Sequence, residues 1–242
     1  TVALGASRRA AIGTTALFAA LAAVAAWGWL RPRANADTDQ HVVRLWTVDG
    51  GMIVRSAAGN SLGFRAAIAP DGSSIVFNDG TPPSSQLHRK RRGEYAATPM
   101  PGTETGLSPF FSPDGRWMAF FAGGRLKAVS LQGLEVRTVC EAPGGWSGSF
   151  GPGGFIFFSP RLGPVSRVSS EGGLPEDVTR LAPGETSHRW ASFLPDGRTL
   201  LFESLDASGR SRIRAWSTDT VEAKTLVDEG QYPRFAGGRL LF

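Results

Sequence analysis

The sequence predicts an all-β chain: a partial, open, truncated β-propeller of four-stranded blades, preceded by a single transmembrane α-helix. Three observations predict it. One turn motif returns about every 40 residues in the second part of the chain. Each copy is followed by short apolar runs of strand length, separated by turn residues. Residues 10–30 carry no charge over 21 positions.

The uncharged run (AAIGTTALFAALAAVAAWGWL) comes first in the chain. As a helix at 1.5 Å per residue it spans about 31 Å, the thickness of a hydrocarbon core. Trp27 and Trp29 stand at its end, where amphipathic rings favour the headgroup layer. Arginine pairs flank it, Arg8 and Arg9 before and Arg31 and Arg33 after. Two further readings stay open: a cleaved signal peptide using residues 34–36 (ANA), and a buried soluble helix. With two arginines on each side, charge does not orient the segment. Small residues four apart (Ala16 and Ala20, Ala19 and Ala23) would permit close pairing of two copies, hence a dimer through the membrane. Residues 1–9 are then a cytoplasmic stub and the polar stretch 31–40 a linker. The chain begins at Thr1 and ends at Phe242 inside an apolar run, which reads as a piece of a longer protein.

Residues 41–242 hold the repeat. Its clearest copy is 109–120 (PFFSPDGRWMAF). The others are 66–77 (AAIAPDGSSIVF), 148–158 (GSFGPGGFIFF), 191–202 (ASFLPDGRTLLF) and a degenerate 234–242 (RFAGGRLLF). The apolar residue before each turn is Ile68, Phe111, Phe150, Phe193 and Phe235, at steps of 43, 39, 43 and 42 residues. That period is the length of one four-stranded blade. In Pro-Asp-Gly, proline sets φ, the Asp side chain bonds its own backbone, and Gly accepts positive φ, so the triplet joins two antiparallel strands. The strand after it is apolar on both faces and needs a neighbour on each side. It ends in every copy on a phenylalanine: Phe77, Phe120, Phe158, Phe202 and Phe242. Third strands are expected at 126–131, 165–170 and 212–218, and fourth strands at 136–142, 177–182 and 223–229. This makes about four blades and a started fifth, an open arc. The strand-like run 42–48 has no hairpin partner and belongs to the missing closure.

Composition narrows the function. Net charge is +5, from 26 basic and 21 acidic residues, and residues 1–33 hold four arginines and no acid. The rest is near neutral, without the clustered basic face that nucleic acid requires. One cysteine, Cys140, excludes an internal disulfide. Three scattered histidines give no metal-ligand spacing, so no metal and no cofactor are expected. Residues 145–149 (GWSGS) nearly spell a nucleophile elbow, but Ser149 replaces the final glycine and the run is a pre-turn strand. The basic run 88–92 (HRKRR) reads as a solvated turn, the turn aspartates as turn formers, and Cys140 as a packed side chain. No catalytic residue is assigned. With the pre-turn strand innermost, residues near its start gather at one rim: Arg65, Ser108, Trp146, His188, Arg189 and Arg234. Arginine, aromatic and hydroxyl groups together suit an anionic or peptide ligand, or a protein partner.

The copies resemble the Pro-Asp-Gly propeller repeats of TolB-type proteins. More narrowly, 108–127 (SPFFSPDGRWMAFFAGGRLK) and 184–197 (GETSHRWASFLPDG) look like the propeller that follows the transmembrane helix of bacterial serine/threonine protein kinases. The resemblance covers about residues 8 to 242. It implies a single-pass protein of the bacterial inner membrane, with a cytoplasmic kinase domain and the propeller outside the cytoplasm. No glycine-rich phosphate loop, Val-Ala-Ile-Lys strand or Asp-Phe-Gly triplet occurs in these residues, so no kinase residue is carried over. The expected role is a non-catalytic sensor or interaction domain of a receptor-like kinase. Two alternatives stand: a TolB-like cell-envelope propeller that binds proteins without a kinase, and the propeller of a prolyl-oligopeptidase-like hydrolase.

Overall fold

The computed structural model describes residues 66–78, 85–236 and 238–242. The predicted membrane helix, the linker, the run 42–48 and Arg65 lie outside them. Among the described residues no helix is long and apolar enough to cross a membrane.

Four four-stranded sheets and one two-stranded sheet follow one another, each with its strands in chain order and antiparallel. The first is β1 (Ala66–Ile68), β2 (Ser74–Asn78), β3 (Leu87–Arg91) and β4 (Thr98–Pro99). The second is β5 (Leu107–Phe111), β6 (Trp117–Ala122), β7 (Arg125–Ser130) and β8 (Val136–Glu141). The third is β9 (Gly145–Phe150), β10 (Phe155–Pro160), β11 (Ser166–Ser169) and β12 (Glu176–Asp177). The fourth is β13 (Glu185–Phe193), β14 (Thr199–Asp206), β15 (Ser211–Ser217) and β16 (Ala223–Val227). The fifth is β17 (Arg234–Ala236) and β18 (Arg239–Leu241).

The motif turns close as their chemistry requires. Ser112 N–H donates to the Trp117 carbonyl at 2.9 Å and Gly115 N–H to the Ser112 carbonyl at 2.9 Å. Asp114 Oδ1 accepts from Arg116 N–H at 3.0 Å, and Gly115 sits at φ +67°. Asp196 repeats this, accepting from Arg198 and Thr199 N–H at 2.8 and 3.0 Å. These bonds hold both carboxyls below the usual aspartate range: first the Ser112 hydroxyl for Asp114, and the Arg198 amide for Asp196.

The second strand of each sheet supplies the cores on both faces, through the period-2 alternation of a strand. Met118 and Phe120 pack with Val76, Leu87 and Met100 between the first and second sheets. Ala119 and Phe121 face the other way, onto Ile156 and Phe158 of the third. Phe157 in turn packs with Leu200, Phe202 and Trp216 of the fourth. The first strands β1, β5, β9 and β13 touch one another in succession. They are therefore innermost, and the outermost strands β4 and β12 are exposed.

Two expectations are corrected. The phenylalanines do not end the second strands: β6 runs two residues past Phe120 and β14 four past Phe202. The fourth strand expected at 177–182 is only Glu176–Asp177. The Thr179 hydroxyl is drawn inward, where Val165 N–H donates to it at 2.8 Å, and Pro183 follows. The chain thus leaves the ladder at Val178.

Candidate functional site

The innermost strands enclose a cavity of about 320 Å³. All five sheets reach it: Ala66 to Ile68 from β1, Ser108 to Phe111 from β5, Ser147 to Ser149 from β9, Ala191 and Ser192 from β13, and Arg234 from β17. Small side chains keep it open. Gly148 is needed there, because a Cβ would lie 2.5 Å from Phe110 Cζ on the neighbouring strand.

Each complete innermost strand from β5 onward carries one extra residue at the same level. The register shifts between Leu107 and Phe110 in β5, at Trp146 in β9, and between Arg189 and Ser192 in β13. Such bulges bend a strand and re-aim the side chain at the bulge. Ser108 and Trp190 adopt φ +50° and +58° there, and Tyr232, the matching position before β17, adopts +55°. Non-glycine residues at such angles cost of order 1–2 kcal/mol each.

The bulges at Trp146 and Trp190, with Tyr232 just before β17, bring three aromatic rings into a row. Trp146 and Trp190 meet edge-on with centroids 6.2 Å apart, and Trp190 and Tyr232 lie 4.8 Å apart. Arginines border the row. The Arg161 guanidinium lies over Trp146 at 5.6 Å. Arg189 Nη2 donates to the Arg161 carbonyl at 3.4 Å. Arg234 Nη1 donates to the carbonyls of Pro233 at 3.0 Å and Trp190 at 3.5 Å. Burial pushes the Arg234 guanidinium down to about 10, so it remains a cation at neutral pH.

Two of the predicted rim residues line the cavity, and two more do not. Ser108 and Arg234 line it, whereas Trp146 meets the Trp190 ring and Arg189 bonds the Arg161 carbonyl without lining it. Arg65 lies outside the described residues. His188 is a correction: its side chain is fully buried and presents nothing to a rim ligand. Its Nδ1 pairs with the Thr179 hydroxyl at 2.7 Å and its Nε2 with Glu185 Oε2 at 3.0 Å. Glu185 also accepts from Ala182 N–H at 2.7 Å, Arg214 Nη1 at 3.1 Å and the Ser204 hydroxyl. Burial opposes the Glu185 charge. The bonds from Ser204, Ala182 and His188 outweigh it and hold the carboxyl at about 2. Burial lowers the His188 imidazole below its ordinary value, against the pull of Glu185. The stable arrangement is a neutral imidazole donating from Nε2 to an ionised Glu185. This chain ties the fourth sheet to the segment after β12 and is a structural joint.

Sequence reasoning missed Trp190, Tyr232 and Arg161. The signal was present for two: Trp146, Trp190 and Tyr232 stand three or four residues before Phe150, Phe193 and Phe235. The elbow-like serines bond backbone: Ser147 Oγ accepts from Trp190 N–H at 3.1 Å and Ser149 Oγ donates to the Phe150 carbonyl at 3.1 Å. Among the described residues no group of three His, Cys, Asp or Glu could hold a metal.

No family model matches the sequence, and no curated protein matches it. Solved structures resemble it in fold. A putative TolB from Agrobacterium tumefaciens aligns with a TM-score of 0.59 at 19% identity, over 69% of this chain and 66% of that one. TolB from Acinetobacter baumannii gives 0.59 at 16% identity, over 72% of this chain and 46% of that one. Puromycin hydrolase gives 0.52 at 17% identity, over 68% of this chain and 28% of that one. This chain thus spans less than two thirds of the length of each. Likeness at such identity carries architecture alone, and the architecture is a β-propeller arrangement of four-stranded antiparallel blades, similar to that of the TolB structures.

Proposed function

We propose that this chain is a membrane-tethered, non-catalytic propeller that senses a ligand or partner, as the outer part of a receptor-like serine/threonine kinase in the bacterial inner membrane. One observation supports binding above the others: five sheets converge on one cavity whose wall carries Arg234, Ser108 and the rings of Phe110 and Phe111. The tether rests on the uncharged run 10–30, and the kinase on the order of basic flank, apolar run, linker and propeller. Ligand at the cavity would alter the pairing or tilt of the membrane helix and so the state of the inner kinase.

Fractionation of the full chain in a bacterial host tests the tether. The chain should stay with membranes through alkaline carbonate washing, and its propeller should be cut by protease added outside spheroplasts. Deletion of residues 10–30 should abolish retention. Release of the intact chain by carbonate contradicts the reading. The kinase is tested by the coding sequence before Thr1, which should encode a kinase domain.

The likeness to TolB structures favours a second reading, a cell-envelope propeller that docks proteins without a kinase. It predicts the same membrane behaviour and no kinase upstream. A hydrolase reading, favoured by the likeness to puromycin hydrolase, requires an α/β domain with a true nucleophile elbow downstream.

A further inference from the structure

The side chains on the wall of the central cavity include one cation, Arg234, and four serines, and no carboxylate. Three of the hydroxyls have a hydrogen left to give. Ser147 Oγ accepts from Trp190 N–H at 3.1 Å, which leaves its own O–H to donate. Ser108, only 4% exposed, and Ser192 make no side-chain hydrogen bond among the described residues. The fourth hydroxyl, Ser149, is already spent on the Phe150 carbonyl. The carbonyls of Pro233 and Trp190 steady the Arg234 guanidinium, so the bulge at Trp190 helps to fix where this charge stands. Both carbonyls are neutral dipoles, and a charge withdrawn from bulk water acts strongly on an anion within reach. The rest of the wall is apolar and includes Ile68, Pro70, Phe110 and Phe111. A compact space of about 320 Å³ is about 8 Å across, so one small molecule that fills it meets every wall.

Deepening the ligand-binding reading above and resting on it, we propose that the central cavity binds a small monocarboxylate with a short apolar body. The Arg234 charge holds the carboxylate, the hydroxyls of Ser108, Ser147 and Ser192 are the donors that surround it, and the apolar body lies against Phe110 and Phe111. One cation on the wall balances one negative charge, which favours a monoanion over a phosphate dianion. Two sources share this chemistry: a free short organic acid, or the C-terminal residue of a partner chain.

The test is a titration of the full chain in detergent micelles with ¹⁵N-labelled tryptophan, using isovalerate as the probe and isovaleramide as its neutral match. The reporter is the Trp190 backbone amide, which donates to the Ser147 hydroxyl. Isovalerate should move this resonance and saturate, and isovaleramide at the same concentrations should leave it in place. Arg234→Gln should weaken isovalerate about tenfold, and Arg234→Lys, which keeps the charge, should weaken it less. Ser108→Ala and Ser192→Ala should each weaken it about fivefold. Unmoved Trp117 and Trp216 resonances report an intact fold. An acetylated Ala-Leu peptide that binds more tightly than isovalerate, and loses this when its C-terminus is amidated, supports a partner chain; a peptide that binds no more tightly supports a free acid. Equal binding of isovalerate and isovaleramide overturns the proposal even where the variants do not fold, and leaves the cavity a ligand site. So does inorganic phosphate that binds more tightly than isovalerate, or an Arg234→Gln affinity within twofold of the unsubstituted chain. A Trp190 amide indifferent to every probe overturns the proposal and the ligand reading of the cavity together, while fractionation reads the membrane tether separately.

Discussion

Glu185 and His188 are the residues through which acid reaches the fold. Both bind protons more weakly in the folded chain than in the unfolded one. Stability is therefore fully present above the unfolded histidine value of 6.5 and declines as pH falls below it. It declines again from the unfolded glutamate value of 4.5 down to about 2. Urea unfolding between pH 7.5 and 2.5 should show both steps. Glu185→Gln should cost about 3 kcal/mol at neutral pH, because it leaves the Arg214 charge buried beside a neutral amide. It should also flatten the lower step; parallel pH curves for the two chains would show that Glu185 does not carry it. None of this was legible in the sequence. Glu185 precedes His188 by three residues, but Thr179, Ser204 and Arg214 come from other segments, and only the folded sheet brings them together.

At the scale of the element, the turns were legible and the bulges were not. Pro-Asp-Gly carries its own geometry, so the hairpins after Ile68, Phe111 and Phe193 form where the motif stands. The expected third strands match β7, β11 and β15 to within about a residue or two. A bulge depends on where a neighbouring strand needs the chain to bend, and no local residue announces Ser108 or Trp190 at positive φ. Strand β12 is short for a similar reason: the Thr179 hydroxyl finds a better partner inward than the ladder offers. Two glycine substitutions separate turn chemistry from strand contact. Gly115→Ala meets only ordinary contact, Pro70 Cδ at 3.7 Å, so it should cost about 1–2 kcal/mol from the left-handed backbone alone. Gly148→Ala pushes a methyl into the Phe110 ring between two innermost strands and should cost about 1–3 kcal/mol. In a Phe110→Leu background the second penalty should shrink and the first should not, as thermal unfolding of the four variants would read. Equal penalties in both backgrounds would contradict the contact.

For the whole molecule, the second strands hold neighbouring sheets together in pairs. Phe120 belongs to the core shared by the first and second sheets, and Phe202 to that shared by the third and fourth. Each is fully buried, and each Phe→Ala change should cost about 3–5 kcal/mol. Stacked repeats contact their neighbours alone, so hydrogen exchange should quicken most in the two sheets flanking the lost ring. Phe202→Ala should leave β2 and β3 protected after β10, β11, β14 and β15 have begun to exchange. The 40-residue period made this array legible, because a strand apolar on both faces can be buried only between two others. The central claim is that the first strand of each sheet faces one common cavity. An experimental density map of the full chain tests it most directly. The map should place β1, β5, β9, β13 and β17 around one opening, with Ser108 and Arg234 on its wall; sheets stacked in a straight row, or helix through residues 110–120 or 190–200, would contradict the fold and the binding site with it.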